Sequence, residues 1–186
     1  QRDHGDRADR KHARMKYTVD THGVAWFRTE LERRLGYTLG EARQYRFADN
    51  SDRFGWYQGE DGDWHYGLFV QNGRVADFDE ERRIMSGLRA IAEVHEGDIA
   101  ITTNQNVIIA GVPEAERARI QGLIDEYGLE RDASRQRRAS MACVAFPTCG
   151  LAMAESERYL PSFIDKLEAI MADAGLSGDD AIVVRM

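Results

Sequence analysis

The sequence predicts an α+β fold in which helices cover one face of an antiparallel sheet. Three observations support this prediction. Apolar residues recur at helical spacing in several segments, and short aromatic or β-branched runs lie between them. Asn72-Gly73 is a strong signal for a two-residue hairpin turn. Strands followed by a helix, a hairpin and another helix are typical of this mixed class.

The first half of the chain is predicted to contain two helices and a meander. A helix is predicted over residues 20–35, where apolar side chains form one stripe and Gly36 can end it. A meander of three strands is predicted over residues 53–78, with its second turn at Asn72-Gly73. A further helix is predicted over residues 80–96.

A second hairpin and helix complete the predicted sheet layer. Two β runs, residues 98–102 and 106–110, are joined by the polar link Thr103-Asn104-Gln105. Pro113 is expected at the first turn of the next helix, and Gly128 at its end.

The last third of the sequence changes in character. Residues 129–141 are charged and lack periodicity, which predicts a connecting loop. A long amphipathic helix is expected from Leu160 to Met171, with Pro161 separating it from a shorter turn. Residues 181–186 read as a strand that begins without a partner.

Composition excludes several classes of protein. With 186 residues, the chain fits one domain or one and a half. Its 25 basic and 32 acidic residues give a net charge of −7, which argues against general nucleic-acid binding. No apolar run approaches the roughly 18–20 residues that span a bilayer. With no signal peptide and two cysteines, a reducing cytoplasm is the expected location.

The candidate metal ligands are Cys143 and Cys149, the only cysteines in the chain. From the residues alone, three interpretations stay open: buried small apolar side chains, a disulfide or redox switch, and metal ligation. Two thiolates would make half of a four-thiolate cage. The five histidines do not cluster, so they are expected to be surface or packing residues.

Two polar segments also have alternative interpretations. Residues 1–17 are locally basic, which predicts either a solvated arm or a clamp for an anionic partner or cofactor. Residues 102–106 carry hydroxyl and amide side chains that suit a plain hairpin turn. The same side chains could instead bind the carboxylates of a cofactor.

Three stretches resemble the haemoprotein subunit of assimilatory sulfite reductases, in the sirohaem and 4Fe–4S nitrite and sulfite reductase family. They are the basic segment at residues 9–18, the hairpin at residues 97–113 and the cysteine loop at residues 142–161, with Phe-Pro-Thr-Cys and Leu-Ala-Met-Ala-Glu. The resemblance extends over essentially the whole chain. One departure is Gly150, where the family commonly has proline.

The resemblance implies a fold and a set of cofactors. A ferredoxin-like domain is expected at residues 45–128, after a basic arm and packing helix at 1–44. A linker at 129–141 would lead to a truncated sirohaem and 4Fe–4S domain of α/β type at 142–186. In the family, a C-x5-C pair and a downstream C-x3-C pair hold the cluster, and the last cysteine bridges to sirohaem. Cys143 and Cys149 match the first pair.

The implied function is the six-electron reduction of sulfite to sulfide, with electrons from a flavoprotein subunit or a ferredoxin. Thr103, Asn104, Gln105 and Arg14 are the expected sirohaem contacts, and no catalytic residue is assigned. Because the second cysteine pair would lie beyond Met186, the chain by itself is expected to be inactive. Nitrite reduction by the same architecture and a cofactor-free α+β binding module with structural cysteines are the alternatives.

Overall fold

The computed structural model describes residues 2–6, 8–46, 50–130, 133–176 and 182–186, and not the side chain of Arg10. The chain divides into two compact units, Gln1–Phe47 and Ala48–Met186. No described helix is long and apolar enough to cross a lipid bilayer.

The first unit is helical. A 3-10 turn at Arg10–His12 precedes α1 (Met15–His22) and α2 (Val24–Leu35). The single helix predicted from residue 20 is therefore wrong at its start, because Gly23, at φ 85°, separates two helices. The predicted end is confirmed: Gly36 adopts a left-handed conformation and its N–H donates to the Glu32 carbonyl at 2.9 Å.

The second unit contains an antiparallel sheet, as predicted. In the described part of the chain it has four strands in the order β1-β2-β4-β3. The strands are β1 (Gly55–Gln58), β2 (Trp64–Leu68), β3 (Asp98–Ile101) and β4 (Val107–Val112). Helices α3 (Ile84–Val94) and α4 (Glu114–Glu126) connect and follow them.

Both helices pack against the same buried core. Alternate residues of the two central strands point into it, including Tyr66 and Leu68 of β2 and Ile109 of β4. The helices contribute buried isoleucines at helical spacing: Ile84 and Ile91 from α3, Ile120 and Ile124 from α4. The α+β class with helices on the sheet is thus confirmed.

The predicted third strand of the meander does not form. Asn72-Gly73 lies in a 3-10 turn (Gln71–Gly73), and beyond it only Asp77 makes an isolated bridge, to Arg83. The physical reason is that β2 already has β1 on one side and β4 on the other, so its hydrogen-bonding edges are occupied. A third strand of the meander would have to pair with β2, and neither edge of β2 is free.

The remainder of the second unit surrounds the cysteines. The stretch predicted as a connecting loop contains a one-turn helix, α5 (Arg135–Arg138), whose N-terminus is capped by the Ser134 hydroxyl. The long helix is confirmed as α6 (Leu160–Asp173), with Pro161 in its first turn. A small core of Ala142, Leu160 and Ile164 lies between α6 and the cysteine segment.

Residues 182–186, the described part of the predicted C-terminal strand, form no regular strand, but they pair with an earlier part of the chain. Met141 and Arg185 form a parallel bridge. The Met141 N–H donates to the Val184 carbonyl at 3.0 Å, and the Met186 N–H donates to the Met141 carbonyl at 3.1 Å. This pairing could not be read from the sequence, because the partner residues 141–143 lie in a stretch without strand periodicity.

Replacing Gly128 with alanine should destabilise the fold. Gly128 ends α4 at φ 59°, and a Cβ atom there would lie 1.8 Å from the Glu81 carbonyl oxygen. We expect Gly128→Ala to lower the free energy of unfolding by at least about 2 kcal/mol, measured by urea titration. Gly122→Ala is the matched control within α4, where the added methyl meets nothing, and it should stabilise by up to about 1 kcal/mol. Equal changes in the free energy of unfolding from the two substitutions would contradict the steric explanation.

Stability should also fall at high pH through Tyr66. Burial, reinforced by the nearby Glu130 and Asp125 carboxylates, raises the pKa of Tyr66 to about 12. The phenol of Tyr66 loses its proton near pH 10 in the unfolded chain. Its stabilising contribution to the free energy of unfolding is therefore complete below pH 10 and is lost as the pH rises toward 12. Tyr66→Phe should flatten the pH dependence of the unfolding free energy by about 1–2 kcal/mol across this range. Tyr37→Phe, at an exposed site, should leave it unchanged.

Candidate metal centre

Cys143 and Cys149 lie on one loop and are both free thiols. Cys143 is exposed and Cys149 is half-buried. The Cys143 N–H donates to the Met186 carbonyl at 2.9 Å, so this cysteine continues the pairing of Met141 with the C-terminal segment. The Cys149 N–H donates to the Ala145 carbonyl at 2.8 Å, which places Cys149 in a turn.

Backbone hydrogen bonds close the loop that joins the cysteines to α6. The Phe146 N–H donates to the Ala154 carbonyl at 3.2 Å, and the Ala152 N–H donates to the Cys149 carbonyl at 3.0 Å. Ala145 is buried inside the loop. The thiols therefore sit on a backbone that is fixed on both sides of each cysteine.

The loop presents apolar side chains outward. Leu151 is 86% exposed and Met153 is fully exposed, and Val144 and Phe146 are also exposed. Exposed apolar groups of this size around two thiols are a surface that another group or chain segment can cover. Among the described residues, no cluster of three or more His, Cys, Asp or Glu side chains could hold a metal ion. The two thiols are thus at most part of a ligand set.

A second polar cluster lies at the tip of the hairpin between β3 and β4. The Asp52 carboxylate accepts three hydrogen bonds: from the Thr102 hydroxyl at 2.6 Å, from Asn106 Nδ2 at 2.8 Å and from Asn104 Nδ2 at 3.0 Å. Asn106 is 2% exposed, and its Oδ1 accepts the Val70 N–H at 2.9 Å. The polar side chains of Thr102, Asn104 and Asn106 are therefore engaged in hydrogen bonds within the protein, unlike those of a simple exposed turn.

Two of the predicted site residues extend this network to the cysteine segment. Gln105 Nε2 donates to the carbonyl of Ala142, immediately before Cys143, at 3.2 Å. Asn104 Oδ1 accepts from Arg185 Nη2 at 2.9 Å. The structure thus brings Asn104, Gln105 and the chain next to Cys143 into one connected region, which the sequence analysis did not predict.

The other predicted contacts are placed less specifically. Thr103 is exposed at the hairpin tip. Arg14 belongs to the first unit, where it is exposed and precedes α1 as its N-cap residue. Sequence reasoning missed Asp52 and Arg185, which organise the hairpin tip. Neither carries a local signal, because each acts on residues more than 45 positions away.

A cavity of about 600 Å³ opens beside the same region. Arg135, Arg138 and Arg185 line it together with Asn104 and Asp52. The Arg138 guanidinium also lies 5.1 Å from the centre of the Phe54 ring. Three guanidinium groups against one carboxylate give this wall an excess of positive charge, which suits carboxylate or phosphate groups.

Family models match two parts of the chain. Residues 57–127 match the nitrite/sulfite reductase ferredoxin-like half domain. Residues 1–39 match the nitrite and sulphite reductase 4Fe-4S domain. The first match covers both helices and all of the sheet except the start of β1, and the second covers α1 and α2.

Curated proteins align with the whole chain. The sulfite reductase (NADPH) hemoprotein beta-component of Chromohalobacter salexigens is 63% identical over 186 residues, which are 100% of this chain and 32% of that protein. The protein of the same name from Shouchella clausii is 54% identical over 188 residues, with the same shares of each chain. This chain therefore spans about a third of the length of these relatives.

A solved structure has the same fold. The Mycobacterium tuberculosis NirA protein superimposes with a TM-score of 0.67 at 27% identity, over 99% of this chain and 34% of that chain. Together, the sequence and fold matches place the chain in the nitrite and sulfite reductase family. Within that family, its curated homologues are sulfite reductase hemoprotein beta-components.

The Asp52 network gives a prediction about stability. Asp52→Ala leaves the buried Asn106 amide and the Thr102 hydroxyl without their acceptor, so the free energy of unfolding should fall by about 1–3 kcal/mol. Asp52→Asn keeps one carbonyl oxygen as an acceptor, so the free energy of unfolding should fall by a smaller amount. Glu60→Ala, on the exposed turn between β1 and β2, is the control and should have little effect. A loss from Asp52→Ala no larger than the control's would contradict the network.

Proposed function

We propose that Cys143 and Cys149 are two of the four thiolate ligands of a 4Fe–4S cluster in a sulfite reductase hemoprotein. The observation that carries the proposal is a pair of free thiols on one hydrogen-bonded loop. The 63% identity to a sulfite reductase hemoprotein beta-component supports the same assignment. Thiolates are soft ligands that suit iron–sulfur clusters.

The residues present fit half of such a cluster. Two thiolates of a four-thiolate set lie on this loop, and the other two would come from a further part of a protein as long as the relatives. The exposed side chains of Val144, Phe146, Leu151 and Met153 fit the same role. Packed around a cluster, they would exclude water and help to set its reduction potential.

The full protein would use two cofactors, the cluster and a sirohaem. When bound, they supply the electrons that reduce sulfite to sulfide, received from a flavoprotein subunit or a ferredoxin. The residues of this chain would bind and orient these cofactors and shield them from water. Because two thiolates do not by themselves hold a four-iron cluster, we expect no catalysis from the 186-residue chain alone.

Polar residues of this chain are proposed as contacts for the sirohaem carboxylates. Thr103, Asn104 and Gln105 are the candidates at the hairpin tip, and Arg14 is a separate candidate in the first unit. The exposure of Thr103 and Arg14 leaves their side chains accessible to a ligand. Guanidinium, hydroxyl and amide groups are suitable donors to carboxylates. Because Asn104 Nδ2 already donates to the Asn50 carbonyl and to Asp52, its contact with a sirohaem requires one of these hydrogen bonds to be exchanged.

Nitrite reduction is the second candidate function. The family model that matches residues 57–127 is described for both nitrite and sulfite reductases. The high identity to proteins named as sulfite reductase components favours sulfite for this chain.

Cysteine substitution tests the ligand assignment directly. In a protein as long as the relatives, reconstituted anaerobically with iron, sulfide and sirohaem, Cys143→Ser and Cys149→Ser should each lower bound iron, acid-labile sulfide and sulfite reduction together. Ser140→Ala, a nearby buried hydroxyl that donates to the Gln136 carbonyl at 2.7 Å, is the control and should keep its iron. Full iron content in either cysteine variant would end the ligand assignment.

A further inference from the structure

The hairpin tip contacts the cysteine segment at two points. Gln105 Nε2 donates to the Ala142 carbonyl at 3.2 Å, one residue before Cys143. Arg185 donates through Nη2 to Asn104 Oδ1 at 2.9 Å and through Nη1 to the Ala139 carbonyl at 3.1 Å. The guanidinium of Arg185 therefore links the tip to the chain that leads into the cysteine.

Arg185 is also at the centre of the pairing that fixes Cys143. It forms the parallel bridge with Met141, and the next residue, Met186, accepts the Cys143 N–H at 2.9 Å. One residue thus connects the hairpin tip, by its side chain, to the backbone partner of the cysteine. Displacement of Arg185 would move the carbonyl to which Cys143 is bonded.

The tip is rigid enough to act as a support. Asn104 Nδ2 is bonded to the Asn50 carbonyl at 2.9 Å and to Asp52 Oδ1 at 3.0 Å, which fixes the amide that faces Arg185. Gln105 adopts φ 65°, a conformation that costs free energy for a residue with a side chain. Its Cβ also abuts Gly73, where an added Cβ would lie 3.1 Å away. Gln105 therefore contacts the turn at Gln71–Gly73 as well as Ala142.

We infer that Asn104, Gln105 and Arg185 are positioning residues for Cys143, holding its backbone against the sheet so that the thiol is presented in a fixed place. The benefit for a metal cluster rests on the proposed function, but the positioning does not. Preorganised ligands are a general requirement of metal sites, because a thiol that must first be ordered binds more weakly. The amides at the hairpin tip would then serve the cluster loop as well as, or in place of, a sirohaem.

Amide hydrogen exchange on the 186-residue chain, without iron, tests the positioning. Arg185→Met removes both hydrogen bonds and keeps the apolar stem, and Gln105→Glu removes the donor to Ala142. Each variant should speed exchange of the Cys143 and Met186 amides about tenfold, while core amides such as Ile109 keep their protection. Arg185→Lys, which can restore one of the two bonds, should give an intermediate rate.

Matched controls make the same chemical changes elsewhere. Arg89→Met alters an exposed arginine of α3, and Gln58→Glu removes a comparable bond, from Nε2 to the Gly62 carbonyl at 2.7 Å. Neither should change exchange at Cys143. Unchanged Cys143 exchange in both test variants would overturn the inference, and so would an equal loss of protection at every amide. Iron retained in the cysteine-to-serine variants would overturn the cluster assignment alone.

Discussion

The Asp52 carboxylate is the group on which the hairpin tip, and through it the contacts with the cysteine segment, depends. It accepts hydrogen bonds from Thr102, Asn104 and Asn106, which would otherwise compete with water at the end of a hairpin. Asn106 in turn accepts the Val70 N–H, so the same network holds the chain that leaves β2. Since buried polar groups are costly when unpaired, these hydrogen bonds favour one arrangement of the hairpin tip.

Hydrogen bonds connect this hairpin tip to the segment that carries Cys143. Gln105 and Arg185 donate hydrogen bonds to the carbonyls of Ala142 and Ala139, and the C-terminal segment accepts one from the Cys143 backbone. A second set of contacts holds the chain after Cys149, at Glu157. Glu157 accepts a two-point ion pair from Arg74, and its carbonyl accepts from Asn72 Nδ2 at 3.1 Å. The turn that failed to become a hairpin thus holds the segment between Cys149 and α6.

The apolar surface of the cysteine loop is consistent with this arrangement. The backbone is fixed by hydrogen bonds, while the side chains of Phe146, Leu151 and Met153 point to solvent. Fixed backbone with uncovered apolar side chains is unusual in a complete core, where such groups stabilise by burial. It is the arrangement expected where the loop is completed by further protein and by a cofactor, as the proposed function requires.

The sequence by itself determined what depends on neighbours along the chain. The apolar stripe of α6, the stop at Gly36, the hairpin at residues 98–110 and the pair of cysteines were all readable, because helix and strand periods are local. Sequence also suggested, through resemblance, sirohaem contacts at the hairpin tip and cluster ligands in the cysteine loop. The break at Gly23 is a local feature that the apolar periodicity did not indicate.

Tertiary structure alone decided which partner each segment takes. The Asn72-Gly73 signal was overridden because both edges of β2 were already paired. Residues 182–186 gained a partner because Met141 lies within reach only in the folded chain. The amides of Asn104 and Gln105 were engaged by Asp52, Arg185 and Ala142 for the same reason. Pairing is a competition among distant groups, and its outcome is set by geometry that no local pattern contains.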